Sequence, residues 1–361
     1  MTISFRVITV KELPDIAGSE YFAGSEEVPV TSHRALSLAA NPCASDEDPA
    51  ILLAIDEKNR LLGYWGFLSD HLDGNHTNKI MWNSGWRVMP GASHAAMPLL
   101  YKALQTCGNK ILFSDLTLHT KQILEATGKV TVHTRKGIRW YFRSCSYELV
   151  SRRNFATKLL SPFFFFLDFD INLLFVPFLR KTRMPDGFKC IEVPSFNEDD
   201  QNFINSIDIT SLSGRGIKEL NWIKENPWII PLEKDDPKNR SRYYFSSSEK
   251  HFETRFFRIQ KEGQTIALAF MNNRNGHVTL PYFICKPGQE KAVAIAIASV
   301  TGTLKAKTFT TFNPLFLKSE TDLSCISKKS ISRFFAYGNK TGITFSEDIL
   351  IQDGDGDCAF T

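Results

Sequence analysis

The chain has 361 residues, 43% hydrophobic and 23% charged, with a net charge of +4. These are globular values at a length where two domains are the ordinary arrangement, so wholesale disorder is excluded. The small net charge demands no nucleic-acid partner, and no Arg/Lys run interleaves with aromatics in an RNA-binding pattern, so none is expected. Cys43, Cys107, Cys145, Cys190, Cys285, Cys325 and Cys358 are scattered singly, as reduced thiols are. The opening MTISFRVITVKELPD has no basic segment leading into an apolar run, and the reading is cytoplasmic.

In chain order, residues 3–7 alternate as a strand, and polar loops follow with a helix over 32–40. ILLAIDEKNRLLGYWGFLSD predicts two strands joined by a charged turn at 56–60. Gly63 and Gly66 lie within the second of them, where glycine marks a bulge or a close backbone approach. The run His71, Asp73 and His76 lies in a polar loop without helical pitch. It reads as a solvated loop, and no metal site is expected.

NKIMWNSGWRVMP predicts a third strand, ending at Val88-Met89-Pro90 and leading into a helix. A strand over 111–115, a helix with a glycine exit at Gly128 and an aromatic strand reaching 143 complete this stretch. Its centre is a strand-to-helix turn, where α/β sheets bind anionic ligands.

Residues 151–186 form a phenylalanine-rich seam, SPFFFFLDFDINLLFVPFLRKTR at its heart. Asp168 and Asp170 interrupt it, and Pro162 and Pro177 are expected to break the helix, so it falls short of the roughly 20 apolar residues of a membrane span. The first expectation is a helix pair buried between the two halves. The second, kept open by Arg152, Arg153, Arg180, Lys181 and Arg183, is a surface at 155–180 that meets a membrane or a partner without spanning.

The second half reads as another α/β domain. Strands are expected at 188–193, 256–259, 266–271, 277–285 and 308–312, with helices at 199–207, 217–225 and 290–304 and a closing strand at 343–351. Strand–charged turn–strand recurs at 51–68 and 256–272, strand–proline–helix at 86–104 and 278–304, and strand–loop at 111–117 and 308–316. The order of elements therefore repeats.

Leu61-Leu62-Gly63-Tyr64-Trp65-Gly66, Trp86-Arg87-Val88-Met89-Pro90, Leu99-Leu100 and residues 123–128 resemble the GNAT superfamily of N-acyltransferases. The second half is similar through its strand order and through Leu220-Asn221-Trp222-Ile223 and Asn226-Pro227-Trp228. The resemblance implies a mixed α/β fold of two tandem GNAT-like domains, 1–150 and 187–361, joined by the seam at 151–186. It also implies acetyl-CoA or another acyl-CoA, held by Val88, Ser93, His94, Ala95, Ala96 and Met97, and an amine acceptor on a small molecule or sugar. Bacterial proteins of this layout, including the Fem-type aminoacyltransferases, are the implied setting. Ser93, Ala96 and Pro98 stand where the family places a basic or amide residue, a glycine and a small residue. Leu124 stands near the family's tyrosine acid. In the second half the turn is Lys286-Pro287-Gly288-Gln289-Glu290-Lys291.

The residues themselves suggest further roles. His94 lies in the turn, able to touch phosphate or act on the acceptor, or simply exposed. Asp115 ends a strand and either points into the cleft or caps a turn. Tyr282 precedes the second turn and is either a general acid or an ordinary strand tyrosine. Arg215, between two glycines before a helix, suits an anionic group on an acceptor or is a solvated loop cation. Asp353, Asp355 and Asp357 have calcium-loop spacing without its glycine or its distal glutamate; they either line a cleft for a cationic acceptor or form a solvated tail. No Gly-x-Ser-x-Gly or P-loop pattern occurs. The leading expectation is an N-acyltransferase. Its alternative is a non-catalytic module of the same fold acting through the aromatic seam.

Overall fold

The computed structural model describes residues 2–18, 27–72, 78–151, 159–179, 182–208, 211–235, 237–318, 323–342 and 349–361. Asp73 and His76, most of the cations beside the seam and most of the expected 343–351 strand lie outside these residues. The elements run β1 (Ser4–Thr9), α1 (Leu13–Gly18), α2 (Ser32–Ala39), β2 (Pro49–Ile55), β3 (Leu61–His71), β4 (Lys79–Val88), α3 (Ala96–Thr106), β5 (Ile111–Leu116), α4 (Leu118–Ala126) and β6 (Val130–Tyr141). They continue with α5 (Ser146–Ser151), α6 (Ser161–Phe175), β7 (Phe188–Val193), α7 (Glu198–Asn205), α8 (Ile217–Glu225), β8 (Ile230–Pro231), α9 (Pro237–Arg242) and β9 (Ser248–Glu249). The last are β10 (Phe252–Lys261), β11 (Gln264–Arg274), β12 (His277–Cys285), α10 (Glu290–Thr303), β13 (Thr308–Thr311), α11 (Pro314–Lys318) and β14 (Ser327–Gly338).

Sequence order and spatial grouping divide this chain differently. Residues 1–135, 195–252 and 333–361 form one unit; 136–194 and 253–332 form the other. In the first unit the sheet order is β1-β2-β3-β4-β5 and then the second half of β14, and in the second it is the second half of β6 and then β13-β12-β11-β10-β7; residues 130–135 of β6 belong to the first unit and 327–332 of β14 to the second. The two sequence repeats, β1 to β6 and β7 to β14, thus exchange the second halves of their final strands. Residues 334–337 of β14 pair antiparallel with β5, and residues 138–141 of β6 pair antiparallel with β13.

Both units share one geometric device. In the first, β4 and β5 run parallel through only two pairs, Met81 with Ile111 and Trp82 with Leu112. Just beyond, Ser84 and Gly85 both oppose the single Gly66 of β3, so β4 carries a bulge. In the second, β12 and β13 pair from His277/Thr308 to Thr279/Thr310. There Leu280 and Pro281 both oppose Met271. Proline, which cannot donate to a ladder, is tolerated at such a bulge.

The near-continuous apolar strings of β2 and β3 are buried on both faces, as PAILLAI and LLGYWGF demand. One face packs Leu99, Leu100, Ala103 and Leu104 of α3 against Trp65, Phe67 and Phe113. Thr117 caps α4 by accepting from the Thr120 N–H at 3.1 Å, and Gly128 leaves it at φ +64°. In the second unit the small residues Ala294, Ala296 and Ala298 let α10 lie close to the sheet around Phe283, Phe309 and Phe316.

The seam departs from the burial expected of it. Pro162 stands in the first turn of α6, where proline is compatible with a helix, and Pro177 lies in the 3-10 turn Val176–Phe178 that extends it. The result is one continuous 18-residue helical stretch from Ser161 to Phe178, long and apolar enough by length and composition to cross a membrane, contrary to expectation; its phenylalanines are exposed except the half-buried Phe164. Asp168 does not interrupt its apolar surface. It is the buried residue, accepting the Ser144 hydroxyl at 2.5 Å and the N–H groups of Ser146 and Tyr147 at 3.0 and 2.8 Å.

Candidate active site in the first unit

The bulge on β4 organises the site. Gly85 has φ +143°, and a Cβ there would lie 3.0 Å from the Phe245 ring. Beside it, on the face opposite α3, is a small cleft lined by Arg34, Tyr64, Ser84, Tyr243 and Phe245 among others. Arg34 projects from α2 and stacks 3.8 Å over the Trp228 ring. It donates to the Tyr243 hydroxyl at 2.6 Å and to the Ser84 carbonyl. Trp228 is fixed by its indole N–H on Ser37 Oγ at 2.9 Å. At the same bulge, Arg87 bonds Glu27 at 2.6 Å and stacks 3.8 Å over Tyr244.

Five buried side-chain atoms around this bulge have no hydrogen-bond partner among the described residues: Tyr64 OH, Ser84 Oγ, Trp65 Nε1, Asn83 Oδ1 and Trp86 Nε1. Alternation along the strands puts Tyr64 and Ser84 on the cleft side and the other three on the α3 side. Each such group costs about 1–3 kcal/mol when left unsatisfied, so this cluster is poised for a polar ligand reaching both faces. Burial pushes the Tyr64 phenol well above its ordinary range, and it remains a neutral hydroxyl.

Between the parting strands β4 and β5 sits the segment 353–360, which the solvated-tail reading did not anticipate. Gly356 (φ +72°) is wedged so closely that a Cβ would come within 2.8 Å of Trp82 and 3.0 Å of Ser114 Oγ. Arg135 donates to the Ile351 carbonyl at 2.7 Å, and Arg333 to that of Asp353 at 2.9 Å. Phe360 stacks on Trp228 with centroids 4.1 Å apart. Asp357 is half-buried and accepts the Ser114 hydroxyl at 2.7 Å; burial raises its carboxyl above the usual range.

Arg215 and Asp355, the expected acceptor-binding pair, are both buried here and committed to internal partners. Arg215 pairs with Asp70 at 2.9 Å and donates to the carbonyls of Gly354 and Gly356 at 2.8 and 2.9 Å. Asp355 accepts the Ser213 hydroxyl, and the Gln352 N–H at 2.9 Å. A guanidinium so saturated holds the inserted segment in place rather than an acceptor. Asp115 points away from the cleft: it is exposed, at φ +48°, with Arg333 Nε 3.5 Å away. Tyr282 lies in the other unit, buried opposite Phe270.

The turn before α3 is the part of this unit where an anionic cofactor is expected. Ser93, His94 and Met97 are exposed, Ala96 is half-buried, and no acid occupies the first turn of the helix. The N–H groups of Ala92 and Ala95 are used on Met89 and Ala92 carbonyls, and that of Ala96 on Ser93. Gly91, at φ +79°, has open space on its Cβ side. The corresponding turn of the second unit is occupied by its own acid, because Glu290 accepts the Gly288 N–H at 3.1 Å. The first turn is thus free of acids, whereas the second carries a carboxylate at its helix start.

No group of His, Cys, Asp and Glu able to hold a metal occurs among the described residues. Burial pushes the thiols of Cys107, Cys190, Cys285 and Cys358 up to about 12, so these cysteines are not thiolate nucleophiles at neutral pH.

No protein-family model and no curated protein sequence matches the chain. Solved structures do. A conserved Enterococcus faecalis protein of unknown function, described as a probable N-acyltransferase, is 10% identical over 93% of this chain and 72% of its own, with TM-score 0.50. A tandem GNAT protein from the clavulanic acid biosynthesis pathway is 9% identical over 95% of this chain and all (100%) of its own, at 0.46. A GCN5-related N-acetyltransferase from Anabaena variabilis is 8% identical over 93% and 72%, also at 0.46. The first likeness shows the fold: an α/β architecture shared with that probable N-acyltransferase, with the bulged fourth strand and the splayed parallel pair found in each unit. In this chain the fold is in tandem, two repeats of the same element order exchanging the second halves of their last strands.

Proposed function

We propose that this protein is an N-acyltransferase whose working site is the bulge of β4 in the first unit. The observation that carries the reading is the cluster of five buried polar atoms, unpartnered among the described residues, on the two faces of that bulge. Val88, Ser93, His94, Ala95, Ala96 and Met97 would hold acyl-CoA, with its phosphates at the acid-free end of α3. When bound, acyl-CoA supplies an activated thioester. Asn83, Trp65 and Trp86 meet the donor on the α3 side of the bulge.

The amine acceptor, on a small molecule or sugar, enters the cleft bordered by Arg34, Tyr64 and Tyr243. Asp357, its carboxyl raised by burial, takes the ammonium proton. The neutral Tyr64 hydroxyl donates a hydrogen bond where charge develops. Arg34, already fixed by Trp228 and Tyr243, holds the cleft's shape. Asp355 and Arg215 act as positioning residues, keeping Asp357 between the strands.

The direct test is turnover of acetyl-CoA across a panel of amines and amino sugars, read by thiol release. Asp357→Asn and Tyr64→Phe are expected to fold normally and to lose at least roughly tenfold in kcat/KM each. Normal turnover in both variants contradicts the assignment.

A further inference from the structure

Helix α6 reverses the ordinary rule for a helix on a globular protein. Its polar edge faces the protein and, apart from the exposed Asp170, its apolar surface faces outward. Asp168 and Asn172, one turn apart, form the inner edge: besides the Asp168 bonds, Asn172 Oδ1 accepts the Ser144 N–H at 2.7 Å and Nδ2 donates to the Ser144 carbonyl at 3.0 Å. On the outside, Phe163, Phe166, Phe169, Leu173, Leu174 and Phe178 are 58–83% exposed. A contiguous apolar surface of this kind is a docking surface or a liability.

The sequence around the helix says what covers it. Arg152, Arg153 and Lys158 precede it, and Arg180, Lys181 and Arg183 follow it, with no acid among residues 152–160 or 176–183. Cations bracketing an exposed aromatic helix complement anionic headgroups above and an acyl boundary below. A span is the wrong geometry. Asp168 lies mid-helix and is bonded to residues 144–147 of its own unit, so threading the bilayer would bury that polar segment in hydrocarbon.

We infer that α6 docks this protein on an anionic lipid bilayer, lying in the interface plane with its phenylalanines inserted. This is independent of the catalytic reading and survives its failure.

The test is flotation of the full-length protein with vesicles of phosphatidylcholine and phosphatidylglycerol, and with phosphatidylcholine alone. The wild type is expected to float with the mixed vesicles, and less at high salt. A Phe163→Ser, Phe166→Ser, Phe169→Ser and Phe178→Ser quadruple variant, altered only at exposed positions, is expected to lose at least roughly tenfold in partitioning with unchanged circular dichroism and melting. A milder Phe166→Ser variant is the second probe, expected to show an intermediate loss. Wild type remaining at the bottom of the gradient overturns the proposal, as does equal flotation of wild type and quadruple variant. A lipid-indifferent dimer that the quadruple variant abolishes also overturns it, because a second copy would then be the occupant.

Discussion

Tyr64 and Ser84 show how a residue declares function through what it lacks. Their hydroxyls are buried without partners among the described residues, which a purely structural residue would avoid. Tyr64→Phe is therefore expected to leave stability unchanged or raise it by up to about 1 kcal/mol in urea unfolding, while lowering activity. The opposite is expected at Arg215: Arg215→Met strands Asp70 and releases two carbonyls, costing roughly 3–5 kcal/mol by the same measurement. Asp355 adds a pH signature. Burial pushes its carboxyl up to about 6, against an ordinary value of 3.8. A raised folded-state value means its contribution to stability is fully present below the ordinary value and is lost as pH rises through about 6. Asp355→Asn should thus flatten the stability profile across that window.

At the scale of elements, the turn before α3 and the bulge of β4 each make a separable claim. Ala96→Glu places an acid where the phosphate would sit and is expected to weaken acyl-CoA binding by at least roughly tenfold, measured calorimetrically, without loss of fold. Glu290→Ala, in the turn of the second unit, is expected to change that affinity little. Much of this was legible in the sequence. The helix over Ile217–Glu225 and the strand over His277–Cys285 match their patterns, and the repeated strand–turn–strand order was visible. Strand β14 was not. Its first half, SKKSIS, is charged and largely exposed, so it lacks the apolar alternation that marks a strand. The aromatic helix was misread because proline positions count differently at a helix start, and because Asp168 turns inward to a backbone no sequence pattern announces. Of the proposed site, the turn names Ser93 to Met97 as candidates, but Tyr64 and Ser84 acquire meaning only through cross-strand register. Asp357 stood within a noticed acidic run, yet its place between β4 and β5 comes from a chain reversal hundreds of residues away.

For the whole molecule, the exchange of the second halves of the final strands makes each repeat incomplete by itself. A fragment of residues 1–150 lacks β14, α7, α8 and the inserted segment that unit one requires. It is expected to show no cooperative unfolding transition, whereas the full chain does. The exchange also explains why the compact units are discontinuous along the sequence. One fold has been used twice and differentiated: the first unit retains an acid-free turn and an unsatisfied polar cluster, while the second closes its turn with Glu290 and carries the exposed helix. The most direct test of this division is calorimetric titration of the full-length protein with acetyl-CoA, beside the Ala96→Glu variant. Saturable one-to-one binding that the variant loses is the predicted result; no heat and no thermal shift at millimolar acetyl-CoA, or binding unaffected by Ala96→Glu, would contradict it.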